Sequence, residues 1–338
     1  MFATKLIVSI FARYNNQRGS SAVYHLFKGK KSGQTIQDVG LFQLYPFFSI
    51  TPKLTKAQYD TYIEEIFNAQ FILLTEENVV VTDKGRQLIE DFRPVGFDGW
   101  HYRGRESAFF KRLALVVQTL SNAPHTMRFL PIEQDGVTQR FVKDYLRYHD
   151  FQQPAFQQQF TTQLMELVAS LPVEERSKQV LSYRLSGYQQ SGYTWQQLAV
   201  FLDEDILSLQ LRFTSCLHSM INEVRNYPLL ADLAQNIRIE QLLTQSTQKT
   251  ADLFYKGYSL EQIAQYRRLK TSTIEDHLAE MAMNDPQFPL TQFVPEELVL
   301  AIRKRTKQLQ TTKLRIIKES VPQASYFQIR LVLAAKGE

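Results

Sequence analysis

The amino-acid sequence predicts a mainly α, multi-domain helical protein whose strand content is confined to one β-hairpin. Three observations carry this. At roughly 150 residues per domain, 338 residues are enough for two or three domains. Apolar residues recur at three- and four-residue spacing along most of the chain, the period of an amphipathic helix. Only 13 glycines occur, well below the roughly 7% of an average protein, which argues against glycine-rich nucleotide-binding folds.

The opening MFATKLIVSIFARYNNQRGSS reads as a first helix rather than a leader. It lacks a small-residue cleavage site, and its apolar residues continue at helical spacing into SAVYHLF. Helices are expected at 20–28 and 35–44. A further one opens near Thr55, where Thr55 and Gln58 have the spacing of a capping box ahead of Tyr59, Tyr62, Ile63, Ile66 and Phe67. FILLTEENVVVTDKG then supplies two β-branched runs joined by Glu76, Glu77 and Asn78 and closed by Asp83, Lys84 and Gly85. Helices followed by a hairpin are the order of a winged helix, so 1–104 is expected to be winged-helix-like.

The Pro/Gly-containing RPVGFDGWHYRGRE at 93–106 and the polar LLTQSTQKT at 242–250 mark boundaries. They leave a helical middle domain at 105–245 and a C-terminal domain at 246–338. The net charges of the three blocks are +2, −1 and +4 within a total of +5, so positive charge gathers at the ends. Phe151, Phe156 and Phe160 among five glutamines favour a packed amphipathic helix over a disordered tract. The order of elements at 171–220 resembles region four of bacterial sigma factors. Asp203, Glu204 and Asp205 stand where a DNA-reading helix would begin and repel phosphate, so a helical scaffold is expected there.

The sharpest motif is TADLFYKGYSLEQIAQYRRLKTSTIEDHLAEM, 250–281. Gly257 suits the left-handed end of one helix, and Ser259 with Gln262 forms a capping box for the next. The small Ala264 beside Ile263 lets two helices cross closely. Leu269 plugs the turn, Thr271 or Ser272 is expected to cap the third helix, and Ile274 and Leu278 give it a buried stripe. This leaves Thr273, Glu275, Asp276, His277 and Glu280 at its open or flanking positions.

IAQYRRLKTSTIEDHL, 263–278, resembles the helix-turn-helix of LuxR/GerE regulators at Ile263, Ala264, Thr273, Ile274, His277 and Leu278. The stretch from LFYKGYSLEQIAQYRRLKTSTIEDHLAE to SYFQIRLVLA resembles the helicase helix-turn-helix domain. YHLFKGKKSGQTIQDVGLFQLYPFF, 24–48, is similar to the same narrower group, the YpbB-like family of low-GC Gram-positive bacteria. That resemblance implies a DNA-associated accessory protein, typically encoded beside a RecQ-like helicase, with no defined catalytic activity in the family.

The candidate DNA contacts are Arg267, Arg268 and Lys270 around the turn, with Thr271, Ser272, Thr273 and His277 on the third helix. A second cluster, Arg303, Lys304, Arg305 and Lys307, is extended by Lys313, Arg315 and Lys318. Cations in such places fix the register of a helix on phosphates. Glu275, Asp276 and Glu280 depart from the basic or amide-bearing face of a major-groove reader.

Enzyme chemistry finds little support. GKKSG at 29–33 lacks the leading glycine of a phosphate loop, with His25 in its place, and reads as a basic turn between helices. The six histidines are not spaced for a metal set, and no cofactor is implied. The single Cys216 reads as a buried structural thiol in a reducing, cytoplasmic setting. No run approaches the ~18 apolar residues of a membrane span. Trp100 and Tyr102 beside Arg103 and Arg105 suit an aromatic plug better than a base-stacking platform.

Together these residues suggest a non-enzymatic accessory factor that holds DNA by its backbone and acts with a RecQ-like helicase or another repair protein. Two alternatives stand beside it. One is a transcription regulator reading an operator through the third helix. The other is an adaptor whose Glu275, Asp276 and Glu280 face a protein partner.

Overall fold

A computed structural model describes residues 1–240 and 242–335. Among them the chain forms nineteen α-helices and one two-stranded sheet. The first part contains α1 (Phe2–Tyr14), α2 (Ser21–Lys28), α3 (Gly33–Leu41) and α4 (Lys56–Asn68), then β1 (Ile72–Leu74), β2 (Val79–Val81), α5 (Asp83–Leu88) and α6 (Gly99–Tyr102). The middle contains α7 (Glu106–Asn122), α8 (Gly136–Tyr148), α9 (Pro154–Ser170), α10 (Glu175–Arg184), α11 (Trp195–Leu202), α12 (Ile206–Glu223) and α13 (Pro228–Leu233). The last part contains α14 (Gln245–Phe254), α15 (Leu260–Arg267), α16 (Thr271–Asn284), α17 (Glu296–Leu309), α18 (Leu314–Ser320) and α19 (Tyr326–Ala334). The expected mainly α architecture, with helices preceding a single hairpin, is what is observed.

The blocks 1–104, 105–245 and 246–338 are divisions by composition and motif. Compactness groups the chain in two discontinuous units, Met1–Ser9 with Pro46–Tyr62 and Gln87–Glu240, and Ile10–Tyr45 with Ile63–Arg86 and Gln241–Glu338. The second unit therefore takes α2, α3 and the hairpin from the N-terminal part and joins them to the C-terminal helices.

The core of the first unit gathers Phe109, Leu113, Val116, Phe160, Leu217 and Leu230 from α7, α9, α12 and α13. A satellite core of Val180, Leu198 and Leu209 holds α10, α11 and α12 together. The acidic residues ahead of α12 act as caps: Asp203 closes α11 in the left-handed region, and Asp205 accepts the Ser208 N–H at 2.8 Å. Trp100 and Tyr102 are fully buried, as an aromatic plug requires. Burial raises the Cys216 thiol to about 12, which keeps it protonated and unreactive.

In the second unit the hairpin pairs Ile72 with Val81 and Leu74 with Val79. The GKKSG segment is the turn between α2 and α3, with Gly29 at φ 69°. Helix α3 seats directly on α16. A Cβ at Gly33 would strike the Asp276 carboxyl, and one at Gly40 would strike the Met283 thioether. Glycine at those two positions is what lets the helices approach.

Candidate nucleic-acid interface

The helix-turn-helix forms as its local signals dictate. Helix α14 gives way to Gly257 at φ 87°, a conformation that favours glycine. The Ser259 N–H donates to Gln262 Oε1 at 2.8 Å and the Gln262 N–H donates to Ser259 Oγ at 3.3 Å, the reciprocal capping box of α15. Ile263, Ala264 and Ile274 form the crossing core, with Leu269 packed against it from the turn. Arg268 turns the chain at φ 53°, and the Leu269 N–H returns to the Ala264 carbonyl at 2.9 Å.

The third helix begins one residue earlier than its side chains suggested. Lys270 is its N-cap and makes no side-chain capping bond. Thr271 and Ser272 therefore do not cap it; they lie exposed in its first turn beside exposed Lys270 and Arg268.

Three residues expected at accessible positions turn inward. Arg267 donates from Nη1 to the Ser246 carbonyl at 2.7 Å and to the Thr250 hydroxyl, and from Nη2 to Ser246 Oγ at 3.1 Å. It ties α15 to α14. His277 is 8% exposed, and its Nδ1 lies 2.8 Å from Thr250 Oγ1. Burial, helped by the Arg267 charge, lowers its pKa to about 4, so the ring is neutral near pH 7. Glu280 is 3% exposed. Its carboxylate accepts from the Thr244 N–H, from Thr244 Oγ1 at 3.0 Å and from Thr247 Oγ1 at 2.5 Å, where the positive end of α14 stabilises it.

The remaining acids of α16 are also engaged. Arg330 of α19 donates from Nη2 to Glu275 at 2.9 Å and from Nη1 to Asp276. Burial pushes the Asp276 carboxyl above its ordinary value, against the opposing pull of Arg330. All seven residues from His277 to Met283 are buried, and a helix buried all round is a core helix. Packing of α3, α14, α15 and α19 about α16 thus corrects two expectations. The third helix does not offer a reading face beyond its first turn, and Glu275, Asp276 and Glu280 do not form an unpaired acidic surface. Thr273 is half-buried.

The second basic cluster is on the surface. Helix α17 buries Val299 and Ile302 and exposes Arg303, Lys304, Arg305 and Lys307. None of these four forms an ion pair among the described residues; Arg305 donates to Gln308 at 3.1 Å. Lys307 is three residues from Lys304 and four from Arg303, so they share a face. The flanking cations are committed elsewhere. Lys313 lies 3.5 Å from Glu77, Arg315 lies 3.1 Å from Glu319, and Lys318 donates to the Pro322 and Ala324 carbonyls at 2.6 and 2.7 Å.

Sequence reasoning missed Arg330 and the α3 contact. A lone cation inside the apolar SYFQIRLVLA and two glycines seven residues apart in GQTIQDVG were the available signals. Among the described residues no group of three or more His, Cys, Asp or Glu side chains could hold a metal ion, and no helix is long and apolar enough to cross a membrane.

Comparison with known proteins agrees with this geometry. Residues 246–333 match a family model described as a helix-turn-helix domain. In an alignment of 348 positions the chain is 32% identical to protein YpbB of Bacillus subtilis (strain 168), covering 97% of this chain and 96% of that protein. No solved structure matches.

Proposed function

The chain belongs to the YpbB family, and from that premise we propose that it is a non-enzymatic DNA-binding accessory factor. It holds DNA through backbone contacts and works with a RecQ-like helicase in repair or recombination. The observation that carries the DNA contact is the row of Arg303, Lys304, Arg305 and Lys307 on α17, exposed and, among the described residues, without ion pairs. Cations with no carboxylate to displace bind phosphate at the least desolvation cost. Arg268 and Lys270, with the hydroxyls of Thr271 and Ser272 at the start of α16, supply a second set of phosphate contacts. Sequence is not read in this mode, because most of α16 is sealed.

The test is binding of duplex, forked and single-stranded DNA, followed by anisotropy at two salt concentrations. Wild type should bind, weaken steeply with salt, and lose at least tenfold in affinity on combined reversal of Arg303, Lys304 and Arg305 to Glu. Unchanged affinity in that variant would remove α17 from the interface. Co-purification with a RecQ-like helicase after nuclease treatment tests the partnership separately. A defined consensus from random-site selection would instead favour an operator-reading regulator.

A further inference from the structure

A cavity of about 270 Å³ lies within the first unit, where the 50–54 segment meets the start of α7 and the helices α11 and α12. Ile50, Leu54, Trp195, Phe213 and Leu217 give it apolar walls. Trp195 meets Phe213 edge to face at 5.4 Å and carries the Arg184 guanidinium 4.6 Å from its ring centre, so this indole already attracts one cation.

Glu106 also lines the cavity. It is the first residue of α7, the helix end at which negative charge is stabilised, and its side chain is 8% exposed. Its Oε2 lies 3.3 Å from His218 Nε2 but is not aligned with it as a hydrogen bond. His218 Nδ1 accepts the Asp98 N–H at 3.0 Å, so a neutral ring carries its proton on Nε2. That Oε2 has no hydrogen-bond donor among the described residues. The buried hydroxyl oxygen of Thr51, on the same cavity, is also unpartnered. A buried carboxylate is costly until a donor meets it. Exposed Lys53 and Ser107 mark the mouth, and the Lys53 ammonium disfavours a multiply charged occupant.

We propose that this cavity binds a small organic cation, an alkylammonium or alkylguanidinium group on a short apolar stem. Glu106 is its counter-ion, Thr51 a second acceptor, and Trp195 and Phe213 the walls about the stem. The same chemistry could be presented by a free amine or by a lysine or arginine side chain of another protein.

The test uses the full chain at pH 7.5, titrated with butylammonium, butylguanidinium and the neutral 1-butanol, and read by calorimetry and tryptophan emission. At least one cation should bind saturably, at least tenfold more tightly than 1-butanol, and Glu106→Gln should weaken it at least tenfold while leaving DNA affinity unchanged. That last readout separates this site from the α17 interface. Ser107→Trp, a change at the exposed mouth, should fold and also block the cation, which keeps the test decisive if Glu106→Gln does not fold. Capped lysine and arginine tripeptides binding more tightly than the free amines would assign the occupant to a protein side chain, and the reverse order to a free cation. No saturable binding, or equal binding of cation and alcohol, would overturn the proposal.

Discussion

His277 sits where the motif suggested an accessible imidazole, yet it is a buried acceptor between Thr250 and Arg267. Its pKa is lowered from 6.5 to about 4. Between those values the unfolded chain binds a proton that the folded chain refuses, so stability is full above about pH 6.5 and falls as pH drops toward 4. The loss attributable to this ring reaches about 3 kcal/mol at most. His277→Asn, which keeps an acceptor near Nδ1, should flatten that part of the profile, as urea midpoints at pH 7.5 and 5.0 would reveal. Asp276 acts in the opposite sense, since burial raises its pKa and its protonation relieves strain as pH falls, so the difference between wild type and variant is the quantity to compare. Removing Arg330 is harsher. Arg330→Met leaves Glu275 and Asp276, both about a third exposed or less, without their cation. The expected cost is about 1–3 kcal/mol, between surface and buried pairs, measured by chemical denaturation. At this scale the sequence was partly readable: Ser259, Gln262, Thr55 and Gln58 announce their caps because a cap is satisfied within three residues. Arg267, His277 and Glu280 were misjudged because their partners are set by tertiary packing across α14.

At the scale of elements, α16 and α17 divide the roles that a helix-turn-helix usually combines. Helix α16 holds the unit together, and α17 carries four exposed cations that form no ion pair among the described residues. Two acids in its first turn and cations toward its end also suit the helix dipole, so α17 is stable as a solvated helix without DNA. If its four cations each neutralise one phosphate, they contribute a slope of about −3.6 to log K against log salt on duplex DNA, and each Lys→Ala or Arg→Ala change should remove about 0.9. Anisotropy at several salt concentrations measures this; slopes unchanged by all four substitutions would rule out α17 contacts. The contrast with Lys313, Arg315 and Lys318 explains why a basic run is ambiguous in sequence. All seven residues look alike there, and only the folded chain shows which have a carboxylate or carbonyl at hand. The hairpin and most helices were legible because periodicity is local. The α3–α16 contact was not, because it joins residues more than 240 positions apart and leaves only the Gly33 and Gly40 spacing as a trace.

At the scale of the molecule, the second unit is discontinuous, and that has a consequence for the helix-turn-helix as an isolated module. Residues 246–333 match the family model, but this span omits α3 and the Thr244 that bonds Glu280. Cut out of the chain, it would expose the face of α16 that α3 covers, including Met283, and leave a buried carboxylate with fewer donors. Such a fragment should therefore bind a hydrophobic dye and melt well below the intact chain. A fragment that melts as high as the full protein and binds no dye would show that α3 adds nothing to the domain. The same logic gives a subtler form of the test in the whole chain. Gly40→Val places methyl groups where the Met283 thioether now sits and should cost about 1–3 kcal/mol by overpacking. Since α17 packs mainly against α18 and α19, its cations should remain presented, and DNA affinity below the melting range should stay within a fewfold of wild type. Loss of stability without loss of DNA affinity is the outcome that separates a sealing helix from a binding one.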